Sequence, residues 1–416
     1  MKKLKAYRYR LNPNSVQIAF FNQHFGCVRF VKNWAIALRS RYYRRYGKGV
    51  SSRRIQDQLV KKKRLAKWAW LNEVNSQSLL AALKDVDVAF TNFFKHGAKY
   101  PRFKKKYDSH QSFSAPQHVE VVNGKVKLPK LGLVSFVQHR QLPKGKIKTC
   151  TVSRNATGKH HISILLETDE PEVAPTTIVE EESIGGDLGL TTFLTLSDGQ
   201  KIENPKFLKG ALPQLKKAQK ILSRKQKGSK TRSKQKLAVA RLHEKVANAR
   251  KDFHHKTTHY LAVKNQATTY FGEDLLVRGM IKNRKLSRHI ADVGWGMFDV
   301  MMQYKMREVG KNYIKIDRFA PSSKTCIHCG FVHKDLSLSD RFFSCPSCGK
   351  EEDRDWAASV NIKRFGLKLV SEQAGIVCGV KSSPSAKALR GAAEAKEVDI
   401  SSLGSPEAPT RTALAV

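Results

Sequence analysis

Four cysteines late in the chain have the spacing of a zinc site. Cys326 and Cys329 form one CxxC pair, and Cys345 and Cys348 form a second pair after a gap of fifteen residues. Two such pairs are typical of a zinc ribbon, in which four thiolates bind one tetrahedral Zn²⁺. Because four thiolates leave no open coordination position, the predicted role of this metal is structural.

Four acidic residues could hold a second kind of metal. Asp353 and Asp355 lie in EEDRDWAASVNI, directly after the last cysteine pair and at the start of a predicted helix. Asp187 and Glu273 lie at the ends of predicted strands. Hard divalent cations prefer oxygen ligands. Two Mg²⁺ ions about 3.5 to 4 Å apart can activate a water and stabilise the leaving oxygen of a phosphodiester, so the acids predict a metal-dependent nuclease.

Each acid taken alone has an ordinary explanation. A single Asp or Glu at a strand end is most often a surface or capping residue, and only the combination of three favours a metal site. Asp353 and Asp355 are two positions apart, and residues at that spacing on a regular helix do not face the same way. We therefore expect only one of these two to be a ligand.

The charge of the chain points to nucleic acid. With 77 Lys and Arg against 35 Asp and Glu, the formal net charge is +42, which favours a polyanionic partner.

No run of about 18 apolar residues is present to span a bilayer. The N-terminus also lacks the apolar region of a secretory signal, so we expect an intracellular protein without a membrane partner. Three further cysteines, Cys27, Cys150 and Cys378, are scattered and form no disulfide pattern.

The first half of the chain alternates between strand and helix patterns. Residues 1–10 alternate as a basic strand, and a long amphipathic helix is predicted after Asn14, followed by a second helical segment over Ser76–Phe94. Short alternating runs with turn signals over residues 111–168 predict a small antiparallel β unit. The basic loop KYPRFKKKY interleaves aromatics with cations, which could stack on bases or cover the core.

The second half follows an acidic, proline-containing linker over residues 169–182. Ser183–Leu196 predicts a hairpin of buried strands. Residues 206–256 carry seventeen Lys or Arg against two acids and predict a basic helical hairpin, whose cations either contact phosphate or form a solvated face. A strand ending at Glu273 and a helix over Asp292–Val309 come next. This order matches an RNase H-like core with insertions.

Taken together, these segments resemble the TnpB (OrfB) family encoded by insertion sequences, over roughly residues 1–365. Many motifs agree in order, which makes chance agreement very improbable. The segments that carry the resemblance are KAYRYRLNPNSVQIAFFNQHFGCVRFVKNWAI, KYPRFKKK, DLGLTTFLTLSDG, NPKFLK, ARKDFHHK, GEDLLVRGM, YKMREVGK and SSKTCIHCG with CPSCGKEEDRDWAASVNI.

The resemblance implies an RNA-guided DNA endonuclease with one RuvC-like site, related to type V CRISPR effectors. Asp187, Glu273 and Asp355 match the three catalytic carboxylates of the family, which implies that they are ligands of two catalytic Mg²⁺ ions. The implied partners are a guide RNA transcribed from the end of the transposon and double-stranded target DNA. The implied location is the prokaryotic cytoplasm, at the nucleoid.

The implied fold is α+β and multidomain. A β-barrel-like wedge domain holds an inserted helical recognition domain, and an RNase H-like (RuvC) α/β domain with an inserted zinc ribbon follows, before a disordered tail rich in Ser, Ala, Gly and Pro. The expected boundaries are 1–10 and 108–172 for the wedge, 11–107 for the recognition domain, 183–325 and 351–370 for the nuclease domain with the basic hairpin at 206–256, 326–350 for the ribbon, and 371–416 for the tail.

Two positions depart from the family pattern. Ala357 stands where the family usually has Asn, so an amide near the acids is missing. Gly186 stands before Asp187 where the family tends to have a branched apolar residue, which would make the strand more pliable there. Neither change removes a predicted ligand.

Three functions from different classes remain open at this point. The first is the guided, Mg²⁺-dependent endonuclease. The second is a guided DNA-binding repressor without cleavage, which retention of all three acids disfavours. The third is an accessory or strand-transferring transposase protein, although the chain shows no His-hydrophobe-His or tyrosine-nucleophile motif. For DNA contact, the Arg and Lys residues of 29–54 are the best candidates, since Arg suits major-groove readout.

Overall fold

The computed structural model describes residues 2–171, 173–336 and 340–379, and side chains as far as residue 373. These residues form two compact units, which divide after Pro171. Within the described part of the chain, no helix has both the length and the apolar character needed to cross a membrane.

The first unit is built on one curled antiparallel sheet of seven strands. The sheet order is β2-β6-β7-β1-β5-β4-β3, so strands from the start of the chain and from residues 111–168 join in one sheet. Alternate residues of these strands are buried, for example Ile162, Ile164 and Leu166. The strand bounds are Lys3–Leu11 (β1), Gln111–Ala115 (β2), Glu120–Val122 (β3), Lys125–Leu128 (β4), Gly132–Val137 (β5), Lys146–Arg154 (β6) and His160–Thr168 (β7).

The helices of this unit lie between β1 and β2 in sequence. They are Ser15–Tyr46 (α1), Ser52–Arg64 (α2), a short 3-10 helix at Ala66–Asn72, and Ser76–Lys95 (α3). The amphipathic helix predicted after Asn14 is confirmed, since the Asn14 side chain accepts from the Gln17 N–H and the Gln17 side chain accepts from the Asn14 N–H. Phe21, Phe25 and Val31 bury one face of α1 in the core that it shares with the sheet.

The second unit contains a mixed sheet of five strands in the order β10-β9-β8-β11-β12. Strand β8 pairs antiparallel with β9 and parallel with β11, and β11 is also parallel to β12. The predicted hairpin and the strand ending at Glu273 are both confirmed. The strand bounds are Ser183–Asp187 (β8), Thr192–Leu196 (β9), Lys201–Glu203 (β10), Thr269–Glu273 (β11) and Asn312–Ile316 (β12).

Helices connect these strands. The basic hairpin consists of α4 (Phe207–Arg224) and α5 (Lys230–His259), and it is closed by Arg232, whose guanidinium donates to the Leu222 and Lys225 carbonyls. Helix α5 leads into a π-helical turn at Tyr260–Lys264. After β11 come α6 (Val277–Met280), α7 (Ser287–Val293) and α8 (Trp295–Glu308). The helix predicted over Asp292–Val309 is confirmed as α8, but it begins later, at Trp295, because Gly294 adopts φ +73° and separates α7 from α8.

The ribbon and the last helix complete the unit. A 3-10 turn at Ser322–Lys324 precedes the first cysteine pair, and a small antiparallel pair, Phe342–Ser344 (β13) with Glu351–Asp353 (β14), flanks the second. Helix α9 (Arg354–Gly379) starts directly after β14. The disordered tail was predicted to start too early, at residue 371, because α9 continues to Gly379 and no proline interrupts residues 371–379. Residues 380–416 of that tail lie outside the described residues.

Helix α9 approaches the sheet at a glycine. A Cβ atom added to Gly185 of β8 would lie 2.1 Å from the Ser359 carbonyl oxygen and 2.7 Å from the Lys363 nitrogen, both in α9. Any side chain at this position would therefore push the helix away from the strand. The close contact fixes the distance between the first turns of α9 and the end of β8.

We predict that Gly185→Ala destabilises the second unit. The added methyl group meets helix backbone, which cannot rotate away, and overpacking of this kind costs about 1–3 kcal/mol. Gly210→Ala in α4 is the matched control, because nothing lies within 4 Å of the added atom and Ala favours a helix over Gly by about 1 kcal/mol. Thermal unfolding followed by circular dichroism measures both; equal or higher stability of Gly185→Ala would contradict the packing described here.

Candidate metal centres

Two acids lie side by side at one edge of the second sheet. Asp187 is the last residue of β8 and Glu273 is the last residue of β11. The two strands are parallel, and Gly186 pairs with Gly272, so the next residue of each strand is an acid. The chain thus brings together two carboxylates that are far apart in sequence, at the carboxyl ends of neighbouring strands.

Helix α9 supplies the third acid. Asp355 lies in the first turn of α9, the helix that packs against β8 at Gly185. The negative charges of both Asp355 and Asp353 raise the pKa of Asp187, and the influence of Asp355 is the larger of the two. A carboxylate in the first turn of a helix is also favoured by the helix dipole. The three predicted acids therefore share one site.

Asp353, the alternative to Asp355, is occupied by other contacts. Its carboxylate accepts from the Trp356 N–H at 2.9 Å, at the start of α9, and forms an ion pair with Lys201 at 2.7 Å. Partial burial opposes ionisation of Asp353, but the bonds from Lys201 and from the backbone outweigh it and lower the pKa. This residue caps the helix and pairs with β10, which leaves Asp355 as the better candidate ligand of the two.

Burial and mutual repulsion make the ionised acids costly without a cation. The pKa of Asp187 is raised, first by burial and then by the charges of Glu273 and Asp355, while Arg354 acts in the opposite direction. Burial also raises the pKa of Glu273. A carboxylate shifted in this way is favoured in its charged form when a positive charge arrives. The donor set therefore fits a divalent cation with oxygen ligands.

The acids are less closely gathered than the cysteines. Among the residues that the structure describes, the four cysteines are the one group of three or more possible ligands whose donor atoms all lie within 4.8 Å of one another. The carboxylate oxygens of Asp187, Glu273 and Asp355 do not all lie within that distance of one another.

Two polar residues near the acids escaped the sequence analysis. The Ser322 hydroxyl donates to the Glu273 carboxylate at 2.9 Å, and this bond favours the ionised form. The buried Asn361 amide donates to the carbonyls of Ser322 at 2.9 Å and Thr325 at 2.6 Å. Glu273 is thus connected through Ser322 to α9. Ala357, where an amide was expected, is buried, and Asn361 one turn later supplies an amide that holds the segment contacting Glu273.

The four predicted zinc ligands converge. The Sγ atoms of Cys326 and Cys348 are 3.7 Å apart, and those of Cys329 and Cys345 are 3.5 Å apart. Disulfide sulfurs are about 2.0 Å apart, whereas thiolates about 2.3 Å from one tetrahedral Zn²⁺ stand nearly 4 Å from each other. The cluster therefore fits a zinc site. Arg364 of α9 donates to the Ile327 carbonyl, so the same helix holds both the ribbon and the acids.

The first unit presents cations and aromatics at its surface. Tyr43, Phe103 and Tyr107 are exposed by 58% or more, so they do not cover the core, whereas Tyr42 packs against it. A cleft of about 990 Å³ lies beside α1, where Lys62 stands 4.3 Å above the Trp68 ring. The cleft is lined by Gly26, Arg29, Phe30, Asn33, Trp34, Ala37, Arg41, Lys62, Trp68, Trp70 and Phe103.

The basic hairpin of the second unit is a solvent-facing surface. Lys216, Lys217 and Lys220 of α4 are exposed, while Leu215 directly before them is buried. In α5, Val246 is buried and Leu242 and Phe253 are partly buried, as the predicted apolar stripe requires. Most of the cations therefore face solvent, whereas Arg232 and Arg250 are partly buried and bonded within the unit.

Three family models match the chain. One, described as a probable transposase of the OrfB type, matches residues 161–284; a Cas12f1-like TNB domain matches residues 295–362; and a helix-turn-helix domain matches residues 1–48. In the last range the structure has one strand and one long helix instead of two short helices.

Curated relatives cover nearly the whole chain. A protein of Streptomyces pristinaespiralis named "Putative RNA-guided DNA endonuclease" is 38% identical over 366 residues, which is 87% of this chain and 89% of that protein. The Escherichia coli K12 protein of the same description, InsQ, is 32% identical over 396 residues, 91% of this chain and 95% of its own.

A solved structure shares the fold. A chain of the cryo-EM structure of a Cas12f1, sgRNA and target DNA complex superimposes with a TM-score of 0.52 at 13% identity, over 84% of this chain and 83% of that chain. At this identity the likeness concerns the fold alone. The sequence matches, by contrast, are long enough and similar enough to show the family. The chain belongs to the TnpB (OrfB) family.

Proposed function

We propose that the chain is an RNA-guided DNA endonuclease. It binds a guide RNA derived from the transposon end, reads a short motif beside the target, and cleaves the target DNA at one RuvC-like centre. The observation that carries the proposal is the meeting of Asp187, Glu273 and Asp355 at the ends of two parallel strands and the start of one helix. The names of the curated relatives support the same activity.

Asp187, Glu273 and Asp355 are the residues that would hold two Mg²⁺ ions. When bound, such ions generate a hydroxide and stabilise the leaving oxygen of the phosphodiester. The chain itself orients the acids: Gly185 lets α9 approach, and Ser322 holds the Glu273 carboxylate from the ribbon side. Asp353 stays outside this set as the cap of α9.

The nucleic acid would lie on the basic and aromatic surfaces. In the first unit, residues 11–107 are proposed as a recognition domain within a wedge formed by 1–10 and 108–172, with the cleft beside α1 and the Arg and Lys residues of 29–54 contacting DNA. In the second unit, the α4–α5 hairpin would contact phosphate, because its cations face solvent.

Residues 183–325 and 351–370 form the proposed nuclease domain. Acting on DNA in this way, the protein would work in the cytoplasm, at the nucleoid.

The repressor and transposase alternatives have less support. A repressor needs no metal-binding acids, whereas in this chain three carboxylates lie in one site although their negative charges repel one another. A strand-transferring enzyme with a tyrosine nucleophile would need an exposed tyrosine at the site, but Tyr270, the tyrosine that contacts the end of β8, is buried, and its neighbour Tyr313 is partly buried.

Cleavage of a plasmid library tests the proposal. The protein is purified with the RNA that accompanies it from its native locus and is incubated with Mg²⁺ and targets that match the guide beside randomised flanks. We expect cleavage enriched for one flanking motif. Glu273→Gln lowers the rate by about 100-fold or more, because the lost charge stabilisation is several kcal/mol.

Asp274→Asn is the matched control for Glu273→Gln. It changes the next residue in the same way, but Asp274 is half-exposed and pairs with Arg318 and Lys315. We expect cleavage close to that of the unmodified protein. Equal loss in both variants, or guided binding without any cutting, would contradict the assignment, and the second result would favour a repressor.

We also propose that the four cysteines bind one structural Zn²⁺. Cys345→Ser should reduce the zinc content from about one ion per chain to near zero, because three thiolates hold zinc less well than four. Cleavage should fall with it, since Ser322, which contacts Glu273, lies in the segment directly before Cys326. Elemental analysis by mass spectrometry measures the zinc. Cys27→Ala, which changes a buried cysteine of the first unit, should keep it; full zinc content in Cys345→Ser would contradict the site.

A further inference from the structure

One tyrosine beside the acids is buried without using its hydroxyl. Tyr270 of β11 is 1% exposed, and its hydroxyl has no hydrogen-bond partner among the described residues. Its neighbour Tyr313, with ring centroids 5.6 Å apart, differs in this respect, since the Tyr313 hydroxyl donates to Asp299 at 2.8 Å. A buried hydroxyl without a partner is destabilising. The packing of the Tyr270 ring must therefore offset the cost of its unpaired hydroxyl.

The Tyr270 ring fills the space that a side chain at position 186 would need. A Cβ atom added to Gly186 would lie 2.1 Å from the Tyr270 hydroxyl oxygen and 2.7 Å from its Cζ atom, and 2.9 Å from a methyl group of Leu194. Real Cβ atoms do not approach other atoms so closely. Gly186 and Tyr270 are thus complementary in size, one on each of two neighbouring strands.

This contact lies one residue from the site. Gly186 directly precedes Asp187, and Tyr270 pairs with Ile184 on the parallel strand, so that its ring extends along β8 towards the acids. Successive residues of a strand point to opposite faces. Gly185 and Asp187 face α9, whereas Gly186 faces the Tyr270 ring. The end of β8 is therefore held from both faces, by α9 on one and by Tyr270 on the other.

We propose that Gly186 and Tyr270 form a matched pair that positions Asp187 opposite Glu273, with Tyr270 as a positioning residue whose ring replaces a side chain at 186. The proposal rests on the metal-dependent nuclease function proposed above. It gives Gly186, which departs from the family pattern, a structural partner. A more pliable strand was expected at this glycine, and under the proposal the ring would restrict it.

A double-mutant cycle tests the pair. The four proteins are the unmodified chain, Gly186→Val, Tyr270→Val and the double variant, in which a valine side chain at 186 occupies space that the ring has left. Valine suits a strand at both positions. Gly186→Ala and Tyr270→Leu form a second, milder cycle for use if a single valine variant does not fold.

Mn²⁺ binding to the protein with its guide RNA, followed by electron paramagnetic resonance, is the first readout. We expect each single variant to bind Mn²⁺ about 10-fold more weakly or worse and to cleave about 10- to 100-fold more slowly, because a displacement of about 1 Å at a site has effects of that size. The double variant should recover most of both losses, since residues in contact couple. Tyr270→Phe, which keeps the ring, should bind Mn²⁺ and cleave like the unmodified protein.

Three results would overturn the proposal. Additive losses in the double variant would show that the two positions are independent. Variants that melt at lower temperature yet bind Mn²⁺ normally when folded would show a purely structural role. A loss in Tyr270→Phe equal to that in Tyr270→Val would assign the effect to the hydroxyl. If the unmodified protein does not cut guided targets, the nuclease proposal fails instead, and the Mn²⁺ cycle still decides whether the pair positions Asp187.

Discussion

The structure depends on the close packing of one helix against the end of one strand. Helix α9 reaches the backbone of β8 because Gly185 has no side chain. That contact brings Asp355, at the start of the helix, to Asp187 and Glu273, at the ends of two parallel strands. Burial and like charge oppose this gathering, so packing elsewhere must supply the energy that holds the acids together. The same helix holds the zinc ribbon through Asn361 and Arg364.

This arrangement explains why the proposed zinc site adjoins the proposed catalytic one. The segment between β12 and the first cysteine pair contributes Ser322 to Glu273, and the ribbon and α9 hold that segment from either side. The ribbon thus acts on the acids through a hydrogen bond, without supplying a ligand. On the opposite face of the sheet, the ring of Tyr270 fills the space beside Gly186. Under the proposal made above, the strand that carries Asp187 is therefore held by contacts on both of its faces.

Much of this could be predicted from the sequence, because the relevant signals are local. The cysteine spacing predicted a cluster that the structure forms, and the hydrophobic runs placed Asp187 and Glu273 at strand ends. Contacts between distant segments gave no such signal. Nothing in the spacing of Ser322 and Asn361 shows that they meet near Glu273. That the Tyr270 ring fills the space beside Gly186 depends on the register of the two strands, which the sequence does not show. Gly294 lies next to an apolar pattern that gives no sign of a break, so the sequence placed the start of α8 at Asp292 instead of Trp295.

The proposed mechanism requires that Asp187, Glu273 and Asp355 together hold divalent cations. Anomalous diffraction from crystals of the protein with its guide RNA, grown with Mn²⁺, would locate such ions. We expect two Mn²⁺ peaks among these three carboxylates and none at Asp353, which caps α9 and pairs with Lys201. Absence of peaks among the three acids, or Mn²⁺ bound by Asp353 in place of Asp355, would contradict it.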